Sequence, residues 1–198
     1  ILPALALFIS TGLHAQYYYN DIIGTREITS RMKTYVDNKV QMVTATGYDG
    51  NGTKSSDFNE WQEVRENGTA LKITTRNGLN KTILYYRFDP NGRLTSLIDS
   101  SSDVQSESKY QYDGGGKLTT ISNTTKDPGM EFNETEIHQW LYNGKGQPQK
   151  VWRILNGKDS LEVRFSSDDS NNVADEYLIK RGFGVDTIYY YYDDLNRL

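Results

Sequence analysis

Three side chains in one alternating segment have the types and spacing that could do chemistry. Glu134, Glu136 and His138 are two residues apart, so a β-strand would place all three on one face. Two carboxylates beside an imidazole could bind a metal ion or act in acid–base catalysis. The favoured interpretation is a solvated strand face, whose carboxylates are partly offset by basic residues on neighbouring strands.

The composition excludes several other kinds of site. The chain has no cysteine and two histidines, which excludes disulfides, thiolate zinc sites, a cysteine nucleophile and a lipid-modified N-terminal cysteine. Residues 168–172 offer oxygens that calcium prefers, but they lack the glycine and distal glutamate of an EF-hand loop and are interpreted as a polar turn. The net charge of −4 argues against nucleic-acid binding. We predict no catalytic residue, no metal and no cofactor.

The aromatic residues favour binding over catalysis. There are 15 tyrosines and 3 tryptophans, and the tyrosine runs at 17–19, 85–86 and 189–192 must point to both faces of a sheet if they lie in strands. Rings on an uncovered face either stack on each other across strands or contact a ligand, and Tyr and Trp are common at interfaces. The predicted binding-surface residues are Tyr85, Trp140, Trp152, Tyr189 and Tyr191.

A seven-residue pattern recurs along the chain as FDPNGRL, YDGGGKL, YNGKGQP and YDDLNRL, at 88–94, 112–118, 142–148 and 192–198. Weaker copies lie at 48–52 and at 165–173, the latter interpreted as carrying an insertion. The positions that define the repeat are Phe88, Asp89, Gly92, Leu94, Tyr112, Asp113, Gly116, Leu118, Tyr142, Gly146, Tyr192, Asp193, Asn196 and Leu198.

Each heptad has the residues of a tight hairpin turn. Asp89 can accept backbone N–H groups, proline presets the second turn position, and Gly92 supplies a positive φ. A type I turn followed by a left-handed residue is a three-residue hairpin loop with a G1 bulge. The ring and the leucine of a heptad, such as Phe88 and Leu94, should then pair across the two strands. Asn196 is the next most tolerant residue at the glycine position.

The elements around these turns are predicted to be one helix and many strands. Apolar residues at Ile28, Met32, Tyr35 and Val36 share one helical face, which predicts a helix over 22–37. Asn20 or Asp21 could cap it and Asn38 could end it. Alternating segments follow from residue 39, and we predict strands at 71–76, 82–88, 93–98, 109–112, 117–123, 137–142, 150–155, 161–165, 174–180 and 185–192.

The first 15 residues have the character of a secretory signal remnant. They are almost wholly apolar, too short to span a membrane, and end in the small residue Ala15. The predicted organisation is a signal remnant at 1–15, a helical segment at 16–38 and a hairpin-repeat domain at 39–198 that is truncated at its C-terminal end. We expect an exported protein in the periplasm or at the cell surface, not embedded in a membrane once the signal is removed.

The heptads resemble YD repeats, the units of the RHS/YD-repeat proteins. The resemblance covers 85–198 well and 39–84 loosely. It implies an all-β fold: a curved antiparallel meander of hairpin repeats, here with one N-terminal helix. Long members of the family enclose a toxin domain in a shell, and the five or six copies visible here are too few for a closed shell. The combination of an export signal with a short repeat array also resembles bacterial envelope accessory proteins, including the soluble plug-type partners of outer-membrane export channels.

We therefore expect a non-catalytic envelope module that binds a protein partner through its sheet face. A glycan-binding module is the first alternative, favoured by an array of exposed Tyr and Trp on one face. A hydrolase with paired carboxylates is the second. It requires two acids about 5 to 9.5 Å apart in a cleft, and the sequence favours no pair.

Overall fold

The structure is a computed structural model that describes residues 17–100, 105–126, 133–195 and 197–198. These residues form one α-helix, one short 3₁₀ turn and twelve β-strands. The elements are α1 (Asn20–Asp37), β1 (Met42–Tyr48), β2 (Lys54–Arg65), the 3₁₀ turn (Glu66–Gly68), β3 (Ala70–Asn77), β4 (Asn80–Phe88), β5 (Leu94–Asp99), β6 (Gln105–Tyr112), β7 (Leu118–Lys126), β8 (Asn133–Tyr142), β9 (Pro148–Leu155), β10 (Asp159–Ser167), β11 (Val173–Lys180) and β12 (Phe183–Tyr189).

The strands form a single antiparallel meander. Each strand is hydrogen-bonded to its sequence neighbours, in the order β1 to β12 without a crossover. At about 4.8 Å per strand, the sheet is about 50 Å wide. The all-β meander of hairpins with one N-terminal helix is confirmed, and its curvature stays a prediction.

The helix α1 covers one face of this sheet. Ile28 and Met32 contact a buried cluster that includes Leu71 and Leu94, in β3 and β5. Tyr18, just before the helix, packs into a second cluster with residues of β7 to β10. The helix therefore runs across the strands, and we call the two sides of the sheet the covered face and the uncovered face.

The N-terminal end of α1 differs from the prediction, whereas its C-terminal end agrees with it. The residue before the helix is Tyr19, and no side chain of the first turn caps it, so the cap by Asn20 or Asp21 is wrong. Asn38 ends the helix as predicted. Lys39 follows at φ 55°, and the Val40 N–H donates to the Tyr35 carbonyl in a Schellman-type turn.

Two other local features differ from the sequence prediction. Strand β2 was not predicted, because KSSDFNEWQEVR carries five charged residues and little regular apolar alternation. Its strand conformation comes from backbone pairing with β1 on one side and β3 on the other. Pro148 suggests an edge strand or a weakened pair from sequence, yet β9 is an internal strand. Pro148 is its first residue, where the missing N–H is tolerated.

Some predictions fall outside the described residues. The signal remnant at 1–15 and Asn196 lie there, and the division into three segments stays a prediction. Among the helices that the structure does describe, none has the combination of length and apolar character needed to cross a bilayer.

Candidate functional site

Four hairpin turns with one geometry lie at one end of the sheet, which we call the repeat end, and a fifth turn with the same outer hydrogen bond follows β12. In the first, the Asp89 N–H donates to the Arg93 carbonyl at 2.9 Å and the Gly92 N–H donates to the Asp89 carbonyl at 2.8 Å. Gly92 has φ 78°, as the predicted bulge requires. Equivalent hydrogen bonds close the turns at 113–117, 143–147, 168–172 and, for the outer bond, 193–197.

The first turn residue also caps the loop with its side chain. Asp89 Oδ1 accepts the N–H groups of Asn91 and Arg93, both at 2.9 Å. Asp113, Asn143 and Asp193 make the same pair of bonds in their own turns. Burial opposes ionisation, but the hydrogen bonds from Arg93 and Asn91 lower the pKa of Asp89.

The predicted ring–leucine pairs are present in the first two heptads. Phe88 lies opposite Leu94, and Tyr112 lies opposite Leu118. Tyr142 lies opposite Pro148 in the third heptad. In the last heptad the ladder of strand pairs ends at Tyr189, before Tyr192 and Leu198, so that pair stays a prediction.

Two weaker copies of the heptad differ from their sequence alignment. The turn 168–172 is flanked by Ser167 and Val173, which are cross-strand partners, so Ser167 and not Phe165 stands at the ring position and there is no insertion. The turn at 49–53 has the same backbone geometry, with Gly52 at φ 82°. It joins β1 to β2 and therefore lies at the opposite end of the meander from the other five.

The tyrosines of the heptads link successive repeats. The hydroxyl of Tyr112 donates to the Leu94 carbonyl at 2.8 Å, and that of Tyr142 donates to the Leu118 carbonyl at 2.8 Å. Tyr192 makes the same bond with the Val173 carbonyl at 3.0 Å. Phe88 and Ser167 lack the phenol hydroxyl, so this link is made only by the heptads that have tyrosine.

Basic side chains add to these links. The Arg93 guanidinium lies 5.3 Å from the ring centroid of Tyr112, and Lys117 Nζ lies 5.4 Å from that of Tyr142. Both cations occupy the position after the heptad glycine. Such cation–π contacts are worth about 0.5–1 kcal/mol at exposed sites.

The start of α1 is fixed by a carboxylate from a distant strand. Glu176 of β11 is fully buried, and its two oxygens accept the N–H groups of Tyr18 at 3.0 Å and Tyr19 at 3.1 Å. The Tyr190 hydroxyl donates to the same carboxylate at 2.6 Å. Burial raises the pKa of Glu176. Nothing in the sequence indicates this role, because the backbone N–H groups that Glu176 accepts lie more than 150 residues away along the chain.

His138 lies at the centre of a second set of polar contacts under α1. It is 4% exposed, its Nδ1 is 2.6 Å from Asp21 Oδ2, and its Nε2 is 2.8 Å from Glu136 Oε1. Arg153 pairs with the other oxygen of Glu136 at 2.6 Å, and the Trp140 indole N–H donates to Asp21 at 3.1 Å. The solvated strand face predicted for Glu136 and His138 is therefore wrong. Asp21, predicted as a cap, instead joins the helix to the sheet through its contacts with His138 and Trp140.

This network holds its groups charged. Burial favours the neutral imidazole, but the hydrogen bonds to Asp21 and Glu136 raise the pKa of His138 to about 9. Burial also opposes the Glu136 carboxylate, whereas His138 and Arg153 lower its pKa to about 2. The imidazolium therefore lies between two carboxylates at neutral pH and has no lone pair for a metal or a proton. No metal-binding group of three or more His, Cys, Asp or Glu residues is found in the described part of the chain.

The predicted surface aromatics are not brought together. Tyr85 and Trp152 lie on the uncovered face, since their strand neighbours Tyr86 and Val151 pack in the clusters under α1. Five strand spacings, about 24 Å, separate them. Trp140 is 3% exposed and stacks on Phe165 in the covered core, so its assignment to a binding surface is wrong.

The two remaining aromatics lie near the last strand. Tyr189 is exposed and lies opposite Asp175, and it follows the buried Ile188, which places its ring on the uncovered face. Tyr191 comes after the end of β12 and is 82% exposed. About three strand spacings, or 14 Å, separate Tyr189 from Trp152.

A mixed aromatic and charged surface surrounds Trp152. Lys150 Nζ lies 5.3 Å from the Trp152 ring and 3.2 Å from Glu162, and Arg164 pairs with Glu162 at 2.6 Å. Tyr177 lies opposite Arg164 and is partly exposed. We call these five residues the Trp152 surface. The sequence identified Trp152 but not its neighbours, since they come from three different strands.

Comparison with known proteins supports the interpretation of the heptads. The family model described as RHS Repeat matches residues 88–127, which include the first two heptads and their tyrosine link. A search of curated proteins gives no match to the chain. RHS repeats are generally non-catalytic and structural, and they are typical of extracellular and envelope-associated proteins. The chain carries a repeat of the RHS/YD family, as its heptads predict.

Proposed function

We propose that the chain is a non-catalytic binding and structural module of the bacterial cell envelope, exported and bound to a protein partner through its uncovered face. The observation that carries the proposal is the asymmetry of the sheet. α1 buries one face, whereas the other presents the Trp152 surface with its indole, phenol, guanidinium and ammonium groups. Trp, Tyr and Arg are the residues enriched at the centres of protein interfaces.

The layout of this face favours a protein over a glycan. Trp152 lies about 24 Å from Tyr85 and about 14 Å from Tyr189, so the three rings do not form one stacking platform. Around Trp152 the charges alternate in sign, with Glu162 between Lys150 and Arg164. Alternating charges complement an equally mixed protein surface. A plug-like role beside an outer-membrane export channel is the most specific form of this proposal.

A shallow cavity beside Arg164 and Tyr177 of the Trp152 surface adds a place for a partner side chain. It has a volume of about 530 Å³ and is lined by Arg164, Tyr177, Ile179 and Gly184 among others. Volumes of about 300–1,000 Å³ are typical of sites that accept a small group.

A carboxylate-dependent hydrolase receives no support from the acids that the structure brings together. Asp21 and Glu136 both contact His138, which is 4% exposed. Their oxygens are engaged by His138, Arg153 and Trp140. A substrate has no access to them while α1 covers the sheet.

Affinity purification of the tagged full-length protein from its native envelope tests the proposal. We expect a stoichiometric protein partner with the wild type, and loss of that partner when Trp152 and Tyr177 are both replaced by alanine. The matched control is Tyr48→Ala, an exposed ring on the first hairpin, which should retain the partner. Circular dichroism melting confirms that both variants fold. Recovery of a polysaccharide, of no partner, or of the same partner with the double variant would contradict the proposal.

A further inference from the structure

A basic groove lies between α1 and the repeat end. Its volume is about 500 Å³. The helix contributes Arg26 and Lys33, and the turns contribute Arg93 and Lys117. None of the described residues that line the groove is acidic. In a chain of net charge −4, this is a local concentration of positive charge.

The four cations are not equally compensated. Arg93 pairs with Asp89 at 2.7 Å, and Lys33 pairs with Asp37 at 2.5 Å. Arg26 and Lys117 have no ion pair with any residue in the described part of the chain, and both are exposed. An anionic group in the groove therefore meets uncompensated charge chiefly at Arg26 and Lys117.

The spacing of the cations indicates an elongated ligand. Arg26 and Lys33 are seven residues apart, so they share a helix face about 10.5 Å apart along the axis. The turns that carry Lys117 and Arg93 are two strand spacings, or about 10 Å, apart. α1 runs across the strands, and Lys33 also lines a cavity with Asp89 and its turn. Lys33 is thus near the Arg93 turn, which places Arg26 toward the Lys117 turn.

The rest of the groove wall carries rings, aliphatic groups and the hydroxyl residues Thr25, Thr29 and Ser30. The hydroxyls of Tyr112 and Tyr142 are bonded to backbone carbonyls, so these residues offer their rings rather than hydrogen-bond donors. Leu118 and Ile22 complete the apolar part of the wall. A ligand that fits this groove has two anionic groups joined by a largely uncharged chain.

We propose that the groove binds an extended acidic peptide segment of a partner protein. One carboxylate lies near Arg26 and Lys117, which have no ion pair in the described part of the chain, and a second lies near Lys33 and Arg93, where it competes with Asp37 and Asp89 for these cations. Extended residues rise about 3.3 Å each, so acids three positions apart span the required distance of about 10 Å. A single inorganic anion reaches one position only. The groove is separate from the uncovered face, so this inference does not depend on the function proposed above.

Fluorescence anisotropy with the full chain tests this site. The probe is a fluorescein-labelled peptide of sequence Glu-Gly-Ser-Glu-Gly-Ser-Glu, with the lysine-for-glutamate peptide as the charge control. The groove variant carries Arg26→Gln and Lys117→Gln. The matched control carries Arg76→Gln and Lys81→Gln, an exposed Arg and Lys that lie opposite each other on β3 and β4.

We expect saturable binding of the acidic peptide, none of the lysine peptide, and weaker binding as salt is raised. The groove variant should bind about tenfold more weakly and the matched control as well as wild type. Absence of binding, an equal loss in both variants, or tighter binding of inorganic tripolyphosphate than of the peptide would overturn the proposal, the last by showing a small-anion site.

Discussion

The connections between strands differ between the two ends of the sheet. At the repeat end, four hairpin turns share one backbone geometry, a fifth turn with the same outer hydrogen bond follows β12, and tyrosine hydroxyls link neighbouring heptads. At the opposite end the connections differ in length and type, as in the tight turns at 78–79 and 181–182. The sequence repeats where neighbouring turns contact each other, and it varies where each connection serves only its own two strands.

The turn at 49–53 shows that backbone geometry alone does not explain the repetition. It has the Asp49 to Thr53 hydrogen bond and a glycine with positive φ, but it lies at the opposite end and no tyrosine link involving it is described. The contacts between heptads, and the groove that they form with α1, are what distinguish the repeat end. Four measurements test this difference between the two ends and the contacts under α1.

The largest effect is expected under α1. His138→Leu removes the imidazolium between Asp21 and Glu136 and leaves two buried carboxylates without their shared partner. Breaking a buried charge network of this kind lowers the free energy of unfolding by about 3–5 kcal/mol. The control is Lys180→Met, which removes an exposed pair with Asp159 and should cost less than about 1 kcal/mol. Urea unfolding measures both, and equal losses would contradict the structural role of His138.

The same network predicts a pH dependence. The folded pKa of His138, about 9, is above the value of an unfolded histidine, so its stabilisation is full below pH 6.5 and is lost as pH rises through 9. The pKa of Glu136 is lowered to about 2, so its stabilisation is present above pH 4.5 and is lost as pH falls toward 2. Melting temperatures from pH 6 to 10 should decline for wild type. The decline between pH 6.5 and 9 should disappear in His138→Leu, and its persistence would assign it to another group.

The next effect is expected in the turns. Gly92 has φ 78°, and valine in that region costs about 1–3 kcal/mol of unfolding free energy. Gly114 lies in an equivalent turn without a positive φ and with open space around it, so Gly114→Val should change stability by about 0.5 kcal/mol or less. Thermal melting distinguishes the two variants. A Gly92→Val protein as stable as Gly114→Val would mean that the bulge geometry is wrong.

The smallest effect tests the link between heptads. Tyr142→Phe removes the hydroxyl that donates to the Leu118 carbonyl and should cost about 0.5–1.5 kcal/mol of unfolding free energy. Tyr189→Phe changes an exposed ring for which no such bond is described, and should be neutral. If the two substitutions have the same effect in urea unfolding, the tyrosine link does not contribute to stability.

The heptads could be predicted from sequence because their information is local. Asp89, Gly92 and the flanking ring and leucine specify a turn within seven residues, and turn chemistry depends on φ preferences and side-chain caps. Strand β2 escaped prediction for the opposite reason. Its polar sequence has weak β-propensity, and it becomes a strand through hydrogen bonds to neighbours on both sides.

The polar contacts under α1 could not be predicted because they join distant parts of the chain. His138 meets Asp21 across 117 residues, and Glu176 meets Tyr18 across 158. Both acceptors look like ordinary surface acids in sequence. Trp140 was misassigned for the same reason, since only the position of α1 shows which face of β8 is buried.

Site-specific photo-crosslinking in the native envelope tests whether the uncovered face binds a protein. A photoreactive phenylalanine derivative replaces either Trp152 on the uncovered face or Lys158. Lys158 lies in the turn between β9 and β10, at the end of the sheet opposite the repeat end. We expect a cross-linked adduct with one protein from position 152 and none from position 158. No protein adduct at 152, or the same adduct from both positions, would contradict the binding role of the uncovered face.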